Sequence, residues 1–296
     1  MWYTGPRIHI GGEVMANPAL ILEGGGMRGI FTAGVLDFFL DAGFRFPSVL
    51  GVSAGACHAC SFLAGQRGRA YETVARYLDD KRYCSLYSLV TTGDLFGAKM
   101  LYETIPRELY PIDNDAFLKH PVRFQAVVTN CLTGRAEYPE VRDLLEDLVY
   151  VRASSSLPAV SRMVPIKGGL YLDGGIADSI PLLQSMRQGN RKNVVVLTRH
   201  REYRKEPNSL MPLLRLKYRR YPELVHSLET RHVRYNDALH LVKREEEQGN
   251  ALVIAPAAPL DLGRIEKDRR KLRAVYEQGY AAAKRQEDAL RAFLET

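Results

Sequence analysis

Apolar runs alternate with helix-like segments along the first part of the chain. Residues 18–22 form a short apolar run that glycines interrupt, and residues 30–42 carry the broad apolar face of a buried helix. A second apolar run over residues 46–51 leads into a second helical segment over about residues 53–64. A repeated strand–helix order is typical of a parallel sheet covered by helices. The pattern predicts the α/β class, with a mostly parallel central sheet flanked by helices.

Further strands are predicted in the middle of the chain. Residues 123–130 have a strand pattern, and residues 193–198 contain the strongest apolar run, which is typical of a strand buried on both faces. Two shorter runs, residues 164–167 and 170–172, flank a Gly-Gly pair and predict a hairpin. This hairpin would deliver Asp173 at its end.

The predicted structure is less regular in two places. Residues 87–98 are rich in aromatic side chains and are expected to form a loop. Residues 261–294 predict one long charged helix, in which Gly279 is a point where the helix can bend or split.

The composition of the chain changes after Arg199, where a basic segment begins. Residues 1–17 form a lead-in without a clear pattern, residues 18–200 form the core, and residues 201–296 form a mainly helical extension. A last apolar run over residues 251–255 would return the chain to the sheet. We therefore expect the extension to pack on the core as one domain, although a chain of 296 residues also allows two.

Composition and charge narrow the classes of partner. The hydrophobic fraction of 46% and the charged fraction of 25% are ordinary for a globular protein, and 296 residues can bury a full core. The formal net charge of +7 favours an anionic partner, such as a phospholipid surface or an anionic substrate. Only the net charge supports binding to nucleic acid, and we do not expect a nucleic-acid partner. Residues 213–221 interleave basic residues with Leu and Tyr, which suits either an anionic membrane surface or a helix that covers the core.

Neither the cysteines nor the first residues indicate a secreted or metal-binding protein. Four cysteines in 296 residues do not make a disulfide framework. The run Cys57-His58-Ala59-Cys60 resembles a metal or redox motif, but it falls in a predicted helix, where buried thiols are the favoured interpretation. No stretch approaches the roughly 20 apolar residues of a membrane span, and residues 1–17 lack a secretory pattern. We expect a cytoplasmic protein that visits membranes peripherally.

The segment around Ser53 predicts a turn that presents a nucleophile. Gly51-Val52-Ser53-Ala54-Gly55 is a Gly-x-Ser-x-Gly motif between an apolar run and a helix. A serine at the tip of so tight a turn has a strained backbone, and neighbours with side chains would clash with it. The turn would aim the hydroxyl at a substrate, and the following helix would stabilise an oxyanion there. Alone, the motif also fits a plain turn flanked by glycines.

A glycine-rich segment between the first strand and the first helix is a second candidate. Bare backbone N–H groups in such a segment can approach an anion closely. A phosphate cradle is one interpretation, because the spacing fits the dinucleotide fingerprint, and an oxyanion hole is the other. The dinucleotide fold needs an acid at the end of its second strand, where this chain has the Ser53 turn, and this favours the oxyanion hole. The candidate residues are Gly24, Gly25, Gly26, Met27, Arg28 and Gly29.

Asp173-Gly174-Gly175 is the third candidate motif. An aspartate followed by two glycines is commonly only a turn. Functionally, the Asp173 carboxylate would accept the Ser53 proton, because a serine hydroxyl is a weak nucleophile without a base within roughly 3 Å.

The three motifs occur in an order that resembles the patatin-like phospholipase family. Glu-Gly-Gly-Gly-Met-Arg-Gly, Gly-Val-Ser-Ala-Gly and Asp-Gly-Gly follow one another, and the spacing of the first two is typical of that family. The resemblance covers about residues 18–200, and the tail is similar to the extension of some bacterial members. It implies the patatin-like three-layer α/β fold. One departure is that Asp178-Ser179 stand where many members carry an asparagine.

The resemblance also implies a chemistry. Ser53 would be the nucleophile and Asp173 the general base of a dyad that has no catalytic histidine. The N–H groups around Gly25 and Gly26, together with Arg28, would bind the oxyanion. The implied reaction is hydrolysis of a lipid acyl ester through an acyl-serine intermediate, without a metal or another cofactor. By position, residues 83–96 are expected to line the acyl pocket.

Two other functions stay open on the sequence alone. An α/β-hydrolase would combine Ser53 with an acid and a later histidine, for which His200 follows the strongest predicted strand. A surface histidine is the simpler interpretation of His200. The second alternative is a non-catalytic lipid-binding protein on a degenerate hydrolase fold, and the intact Ser53, Asp173 and glycine loop argue against it.

Overall fold

The structure of the protein, a computed structural model, describes residues 18–263 and 265–295. The predicted lead-in, residues 1–17, lies outside the described residues. The described chain forms one mixed sheet of nine strands. The strands are β1 (Pro18–Leu22), β2 (Ser48–Val52), β3 (Arg123–Asn130), β4 (Ala136–Glu137), β5 (Glu140–Val141), β6 (Val164–Ile166), β7 (Gly169–Asp173), β8 (Lys192–Val196) and β9 (Ala251–Ile254).

The sheet is parallel through its middle and antiparallel at one end. Its strand order is β6-β7-β3-β2-β1-β8-β9, and the short strands β4 and β5 pair with β3. The strands from β9 to β3 run parallel to one another, whereas β7 and β6 are antiparallel to their neighbours. Strands β1 and β2 are central and buried on both faces, which explains their uninterrupted apolar sequence. The predicted α/β class with a mostly parallel sheet is confirmed.

None of the described helices is long and apolar enough to cross a membrane.

Helices lie against both faces of the sheet. One of them, Met100–Leu109, is a π-helix, which is wider than an α-helix, and it contains Pro106. The α-helices are α1 (Ile30–Asp41), α2 (Ala54–Leu63), α3 (Arg69–Ala75), α4 (Leu86–Thr92), α5 (Asn114–Leu118), α6 (Leu148–Ser154), α7 (Leu182–Arg187), α8 (Met211–Lys217), α9 (Pro222–Glu229), α10 (Arg231–Glu247), α11 (Arg269–Lys284) and α12 (Glu287–Glu295).

Strand β1 shows why the fold has three layers. Leu20 and Leu22 join the core cluster that contains side chains of α1, α2 and α11. Ala19 and Ile21 join a second cluster, which contains side chains of α7 and α10. Because side chains alternate along a strand, one apolar strand contributes to the cores on both faces of the sheet.

Helix α11 packs on α1 through two glycines. A side chain at Gly34 would overlap the Tyr276 carbonyl oxygen, and a side chain at Gly279 would overlap the Phe31 carbonyl oxygen. Gly279 therefore lets α11 approach α1 closely, and α11 continues through this glycine without a break. The expected bend or split at Gly279 is wrong. The helix also begins at Arg269 rather than at residue 261, and the break falls between α11 and α12.

Residues 86–92 form helix α4, although the sequence predicted a loop over residues 87–98. The Ser85 side chain accepts a hydrogen bond from the Ser88 N–H at 2.9 Å, and Gly93 ends the helix with a φ of 81°. A serine cap and a terminal glycine are helix-boundary signals. The loop prediction is wrong over residues 87–92 because it gave these two signals no weight.

Candidate active site

Ser53 lies at a sharp turn between Val52, which ends β2, and Ala54, which begins α2. The φ of Ser53 is 55°, a left-handed conformation that residues with side chains rarely adopt. The residue is only 6% exposed. The predicted strand–turn–helix arrangement around the serine is therefore present.

Two glycines allow this turn to form by close approach of backbone to backbone. A β-carbon at Gly51 would lie 2.7 Å from the Ala56 Cα. A β-carbon at Gly55 would lie 2.6 Å from the Leu22 carbonyl oxygen. Larger residues at either position would push the helix away from the sheet and move Ser53.

A side chain from α6 fixes the backbone of the turn. The Ser154 Oγ accepts a hydrogen bond from the Ser53 N–H at 2.9 Å, and Ser154 is fully buried. This contact helps to hold Ser53 in its strained conformation. Sequence analysis did not identify Ser154 as a site residue, because 101 residues separate the two partners.

The Asp173 carboxyl is buried at the end of β7, the second strand of the predicted hairpin. Its Oδ1 accepts a hydrogen bond from the Gly175 N–H at 2.7 Å, and its Oδ2 has no hydrogen-bond partner among the described residues. The Thr129 hydroxyl donates to the Asp173 carbonyl oxygen at 2.8 Å. A side chain at Gly174 would overlap the Val127 carbonyl oxygen. The local backbone thus fixes the carboxyl in place.

The environment of Asp173 changes its acidity. Burial raises the pKa of Asp173 above its ordinary value, because an ionised carboxylate loses its hydration there. The nearby Ser53 hydroxyl, the positive charge of Arg231 and the Gly175 N–H each lower the pKa of the same carboxyl. The Ser53 hydroxyl and the Asp173 carboxyl are therefore neighbours, although no hydrogen bond of normal geometry occupies Oδ2.

The glycine loop runs past Ser53 at the end of β1. A β-carbon at Gly24 would lie 3.0 Å from the Ser53 Cβ, and one at Gly29 would overlap the start of α2. Gly26 has a φ of 55° and faces open space. The loop continues as a helical turn over Gly26–Gly29, and the first N–H groups of such a turn have no partner within it.

A buried network holds the glycine loop from its other side. Glu23 accepts hydrogen bonds from the Thr198 N–H at 2.5 Å and from the Tyr235 hydroxyl at 2.7 Å. The Thr198 hydroxyl donates to the Gly24 carbonyl oxygen at 3.2 Å, and a β-carbon at Gly25 would lie 2.7 Å from that hydroxyl. Burial raises the pKa of Glu23. The end of β8 and helix α10 therefore position the loop.

Met27 and Arg28 take different positions in this loop. Met27 is buried and lines a cavity beside Ser53. Arg28 is half-buried, and its Nε has no hydrogen-bond partner among the described residues. The Arg28 charge lowers the pKa of Glu23, and no hydrogen bond joins Arg28 to Ser53 or Asp173 in the described chain.

The pair that departs from the family pattern supports the loop after the aspartate. The Ser179 hydroxyl donates to the Gly175 carbonyl oxygen at 2.7 Å. Asp178 accepts a hydrogen bond from the Tyr138 hydroxyl at 2.8 Å, and burial raises the pKa of Asp178. These contacts support the loop in a chain that lacks the asparagine.

Helix α10 contacts the same loop with two arginine side chains. The Arg231 Nε donates a hydrogen bond to the Gly175 carbonyl oxygen at 2.5 Å. Arg234 donates to the Ile176 and Ala177 carbonyl oxygens at 3.0 and 3.1 Å. The loop that carries the aspartate is therefore anchored to the C-terminal part of the chain.

Sequence analysis did not identify these residues of α10. Arg231, Arg234 and Tyr235 have the i, i+3, i+4 spacing that places side chains on one helix face. Three long polar side chains on one face of a predicted helix were the only local indication that this face contacts another part of the chain. The sequence did not indicate which loop this face would contact.

A cavity of about 150 Å3 lies beside Ser53. Tyr83 and Phe96, from the segment expected to form a pocket, are part of its wall. The wall is mainly apolar and aromatic, which suits an acyl chain better than a sugar or a nucleotide. Its other large apolar and aromatic residues are Met27, Ile30, Val74, Leu101, Tyr102, Ile105, Pro106, Ile112, Leu148, Val151 and Leu157.

The Cys57–Cys60 run contributes three titratable side chains, Cys57, His58 and Cys60, to this wall. The Cys57 thiol contacts the Ser155 hydroxyl at 3.1 Å, and burial raises the pKa of Cys57. Burial lowers the pKa of His58 to about 4, so its imidazole is neutral at neutral pH. Cys60 is buried as expected, whereas Cys57 is only half-buried. Within residues 18–263 and 265–295, no group of three or more His, Cys, Asp or Glu side chains is arranged to hold a metal ion.

His200 stands apart from the Ser53–Asp173 pair. Its Nδ1 is buried and has no hydrogen-bond partner in the part of the chain that the structure describes. Its ring packs edge-on against Tyr203. No hydrogen bond among the described residues connects His200 with either Ser53 or Asp173.

Two family models match the sequence. One, described as patatin-like phospholipase, matches residues 20–186, which is more than half of the chain. The other, described as a domain of unknown function (DUF6363), matches residues 221–295. The second match contains the residues of α10 that contact the glycine loop and the aspartate loop.

Individual relatives match mainly the first of these regions. The uncharacterized protein YjjU of Escherichia coli (strain K12) is 35% identical over 188 residues, which are 61% of this chain and 51% of that protein. The uncharacterized NTE family protein Rv1063c of Mycobacterium tuberculosis (strain H37Rv) is 25% identical, over 59% of this chain and 47% of that protein. The match therefore spans about half the length of these relatives.

Two further proteins are similar to this chain. Lysophospholipase NTE1 of Yarrowia lipolytica is 28% identical over 176 residues, which are 57% of this chain and 12% of that protein. The crystal structure of VipD from Legionella pneumophila has a TM-score of 0.46 at 13% identity, and the match covers 93% of this chain and 67% of that one.

Proposed function

Because the chain belongs to the patatin-like phospholipase family, we propose that it hydrolyses lipid acyl esters with Ser53 as nucleophile and Asp173 as general base. One observation carries the proposal: a strained, buried serine adjoins a buried carboxyl whose Oδ2 has no hydrogen-bond partner among the described residues. A buried acceptor atom is normally hydrogen-bonded. A buried acceptor atom without a hydrogen bond, next to a hydroxyl group, is suited to receive the proton of that hydroxyl group.

The proposed reaction has two steps. The Ser53 Oγ attacks the ester carbonyl carbon while its proton moves to Asp173. The bond to the alcohol oxygen then breaks, Asp173 returns the proton to the leaving alkoxide, and an acyl-serine remains. In the second step a water molecule attacks the acyl-serine and gives a proton to Asp173. Collapse of this intermediate returns the proton to Ser53 and releases the fatty acid.

The glycine loop is proposed to bind the oxyanion in both steps. The loop approaches the serine so closely that a β-carbon at Gly24 would lie 3.0 Å from the Ser53 Cβ. Backbone N–H groups of Gly25 and Gly26 are the proposed donors, and the N-terminus of α2 adds its dipole at the same place. Arg28, whose Nε is unpartnered among the described residues, is the proposed source of further positive charge.

The proposed substrate is a lipid with at least one acyl ester. The cavity beside Ser53 has an apolar and aromatic wall, which fits an acyl chain. One relative, from Yarrowia lipolytica, is named lysophospholipase NTE1. A lysophospholipid is therefore the natural substrate class that we propose to test first.

A dyad is favoured over a triad with His200. A triad requires the histidine to hydrogen-bond both the serine and the acid. Among the described residues His200 forms neither hydrogen bond, and its ring packs against Tyr203. Asp173 is the acidic group that adjoins the Ser53 hydroxyl.

We also propose that the C-terminal region is part of the same domain and positions the base. Strand β9 pairs with β8, which supports the single domain. Arg231 fixes the Gly175 carbonyl oxygen, the Gly175 N–H fixes Asp173, and the Arg231 charge lowers the pKa of that carboxyl. Arg231 acts through Gly175 and is a positioning residue. The region of unknown function over residues 221–295 would then be needed for catalysis.

Ester hydrolysis by the wild type and Ser53→Ala tests the proposal. We expect the wild type to hydrolyse p-nitrophenyl butyrate and lysophosphatidylcholine, and Ser53→Ala to lose at least about a thousandfold in kcat/KM. Ser155→Ala is the matched control, because Ser155 lines the same cavity without being the nucleophile, and it should keep measurable turnover. A folded Ser53→Ala variant with wild-type turnover would refute the mechanism.

A further inference from the structure

Exposed apolar side chains concentrate on two short helices. On α4, Leu86, Tyr87 and Val90 are 73%, 57% and 85% exposed. On α8, Leu213 and Leu216 are 54% and 64% exposed. Single exposed apolar side chains are ordinary, but groups of them mark a binding surface.

The two helices are attached to the same short segment, residues 159–162. The Ala159 N–H donates a hydrogen bond at 3.0 Å to the hydroxyl of Tyr218, which directly follows α8. The N–H of Leu95, shortly after α4, donates to the Val160 carbonyl oxygen at 2.8 Å. Both helices therefore lie close to residues 159–162.

The cavity beside Ser53 is lined by residues that lie next to both points of attachment in sequence. Leu157 lines the cavity and stands two residues before Ala159. Phe96 lines the cavity and directly follows Leu95. The same two chain segments thus form part of the cavity wall and support the exposed helices.

The charged residues of α8 and of the chain directly beside it in sequence are all basic. One of the basic residues there pairs with Glu229, whereas Arg219 and Arg220 are exposed and no ion pair involves either of them among the described residues. Residues 83–93 contain no charged residue. Residues 207–221 contain no carboxylate side chain and four basic residues: Arg215, Lys217, Arg219 and Arg220.

We infer that α4, α8 and residues 159–162 form a docking surface for an anionic phospholipid bilayer, which we call the lipid-facing surface. The leucines, Tyr87 and Val90 would enter the interfacial region, while Arg219 and Arg220 would bind lipid phosphates. The cavity would then adjoin the bilayer and receive a lipid from it. This last step rests on the proposed function, whereas binding to the bilayer does not require hydrolysis.

Charge favours a lipid bilayer over a second copy of the chain. In a two-fold symmetric dimer the same patch meets itself, so the cations around α8 would face their own copies. An anionic bilayer instead pairs those cations with phosphates. The uncharged surface of α4 suits the apolar part of the same interface.

Co-sedimentation of the full chain with vesicles tests this inference. We expect binding to vesicles of phosphatidylcholine mixed with phosphatidylglycerol, weaker binding to phosphatidylcholine alone, and loss of binding as salt is raised. The double variant R219Q/R220Q should partition roughly 25-fold less, about fivefold for each charge. The double variant L213S/L216S should partition at least about tenfold less.

Matched variants elsewhere on the surface provide the controls. Leu118→Ser with Ile265→Ser removes two exposed apolar side chains, and Lys243→Gln with Arg270→Gln removes two exposed charges. These controls should bind as the wild type does. All four double variants should keep the wild-type circular dichroism spectrum and the wild-type rate with soluble p-nitrophenyl butyrate, since none touches Ser53 or the cavity.

Several results would overturn the inference. It fails if the wild type does not bind anionic vesicles, or if the control variants lose as much binding as the lipid-facing variants. It also fails if the lipid-facing variants change only the molecular mass in light scattering, which would make the surface an interface between copies. Failure of the proposed function is separate, because Ser53→Ala should bind vesicles normally whether or not the wild type hydrolyses esters.

Discussion

Asp173 and Gly175 form an asymmetric contact: the carboxyl Oδ1 accepts a hydrogen bond from the Gly175 N–H at 2.7 Å, while Oδ2 has no partner among the described residues. A buried oxygen without a hydrogen bond destabilises a fold. The proposed function gives a reason for this arrangement, because Oδ2 is the atom left to accept the Ser53 proton. The Arg231 Nε donates a hydrogen bond to the Gly175 carbonyl oxygen, which joins helix α10 to the residue that contacts the carboxyl.

Replacement of Asp173 by asparagine tests the role of that oxygen. The amide has nearly the same shape but cannot accept the Ser53 proton. We expect kcat for p-nitrophenyl butyrate to fall by about a hundredfold to ten-thousandfold, the usual range for a lost general base. An Asp173→Asn variant with wild-type kcat would remove Asp173 from the mechanism.

The same variant should change the dependence of stability on pH. The pKa of Asp173 is raised above its ordinary value of 3.8, so the folded protein keeps a proton that the unfolded chain releases. The ionised carboxylate therefore destabilises the fold as pH rises through the folded-state pKa. We expect Asp173→Asn to have a higher Tm than the wild type at neutral pH and an equal Tm near the ordinary carboxyl pKa. A lower Tm of the variant at every pH in thermal denaturation would contradict this explanation.

Arg231 should affect the acidity of the base as well as its position. Because its positive charge lowers the pKa of Asp173, Arg231→Gln should move the acidic limb of the kcat/KM profile to higher pH. Loss of the bond to Gly175 should also lower kcat by about tenfold.

Two further variants separate this role from a merely structural one. Arg231→Lys keeps the charge without the Nε donor, so its pH profile should stay closer to that of the wild type. Lys243→Gln removes a cation from the same helix and should leave the profile unchanged. A profile of Arg231→Gln that matches the wild type would show that Arg231 does not act on Asp173.

His200→Ala separates the dyad from the alternative triad. Since His200 bonds to neither Ser53 nor Asp173 among the described residues, we expect the variant to keep its kcat within about threefold of the wild type. Loss of the histidine of a catalytic triad would instead lower kcat by about ten-thousandfold or more. Steady-state hydrolysis of p-nitrophenyl butyrate distinguishes the two results.

The sequence predicted those parts of the molecule that depend on nearby residues. The apolar runs identified seven of the nine described strands, all except the short strands β4 and β5. The Gly-x-Ser-x-Gly and Asp-Gly-Gly motifs identified turns in which Gly51, Gly55 and Gly174 are required by close backbone contacts. Gly279 was misjudged because its role is a contact with Phe31 on another helix. The cytoplasmic location stays a prediction.

The supporting residues could not be predicted because their partners lie far along the chain. Ser154 is 101 residues from Ser53, and Thr198 is 175 residues from Glu23. Arg231 is 56 residues from Gly175. In the sequence each of these residues is an ordinary polar residue, because its partner becomes a neighbour only when the chain folds. A single sequence contains no local pattern for such pairs.

The most direct test of the central claim is the mass of the protein after reaction with a fluorophosphonate, a reagent that phosphonylates activated serines. The account predicts one phosphonyl group for each wild-type chain, which peptide mapping assigns to Ser53, and slower labelling of Asp173→Asn. Ser53→Ala should gain no mass, and the Cys57 thiol in the same cavity should stay unmodified. Labelling of Ser53→Ala at the wild-type rate, or a wild-type adduct on another residue, would contradict the assignment of Ser53 as the nucleophile.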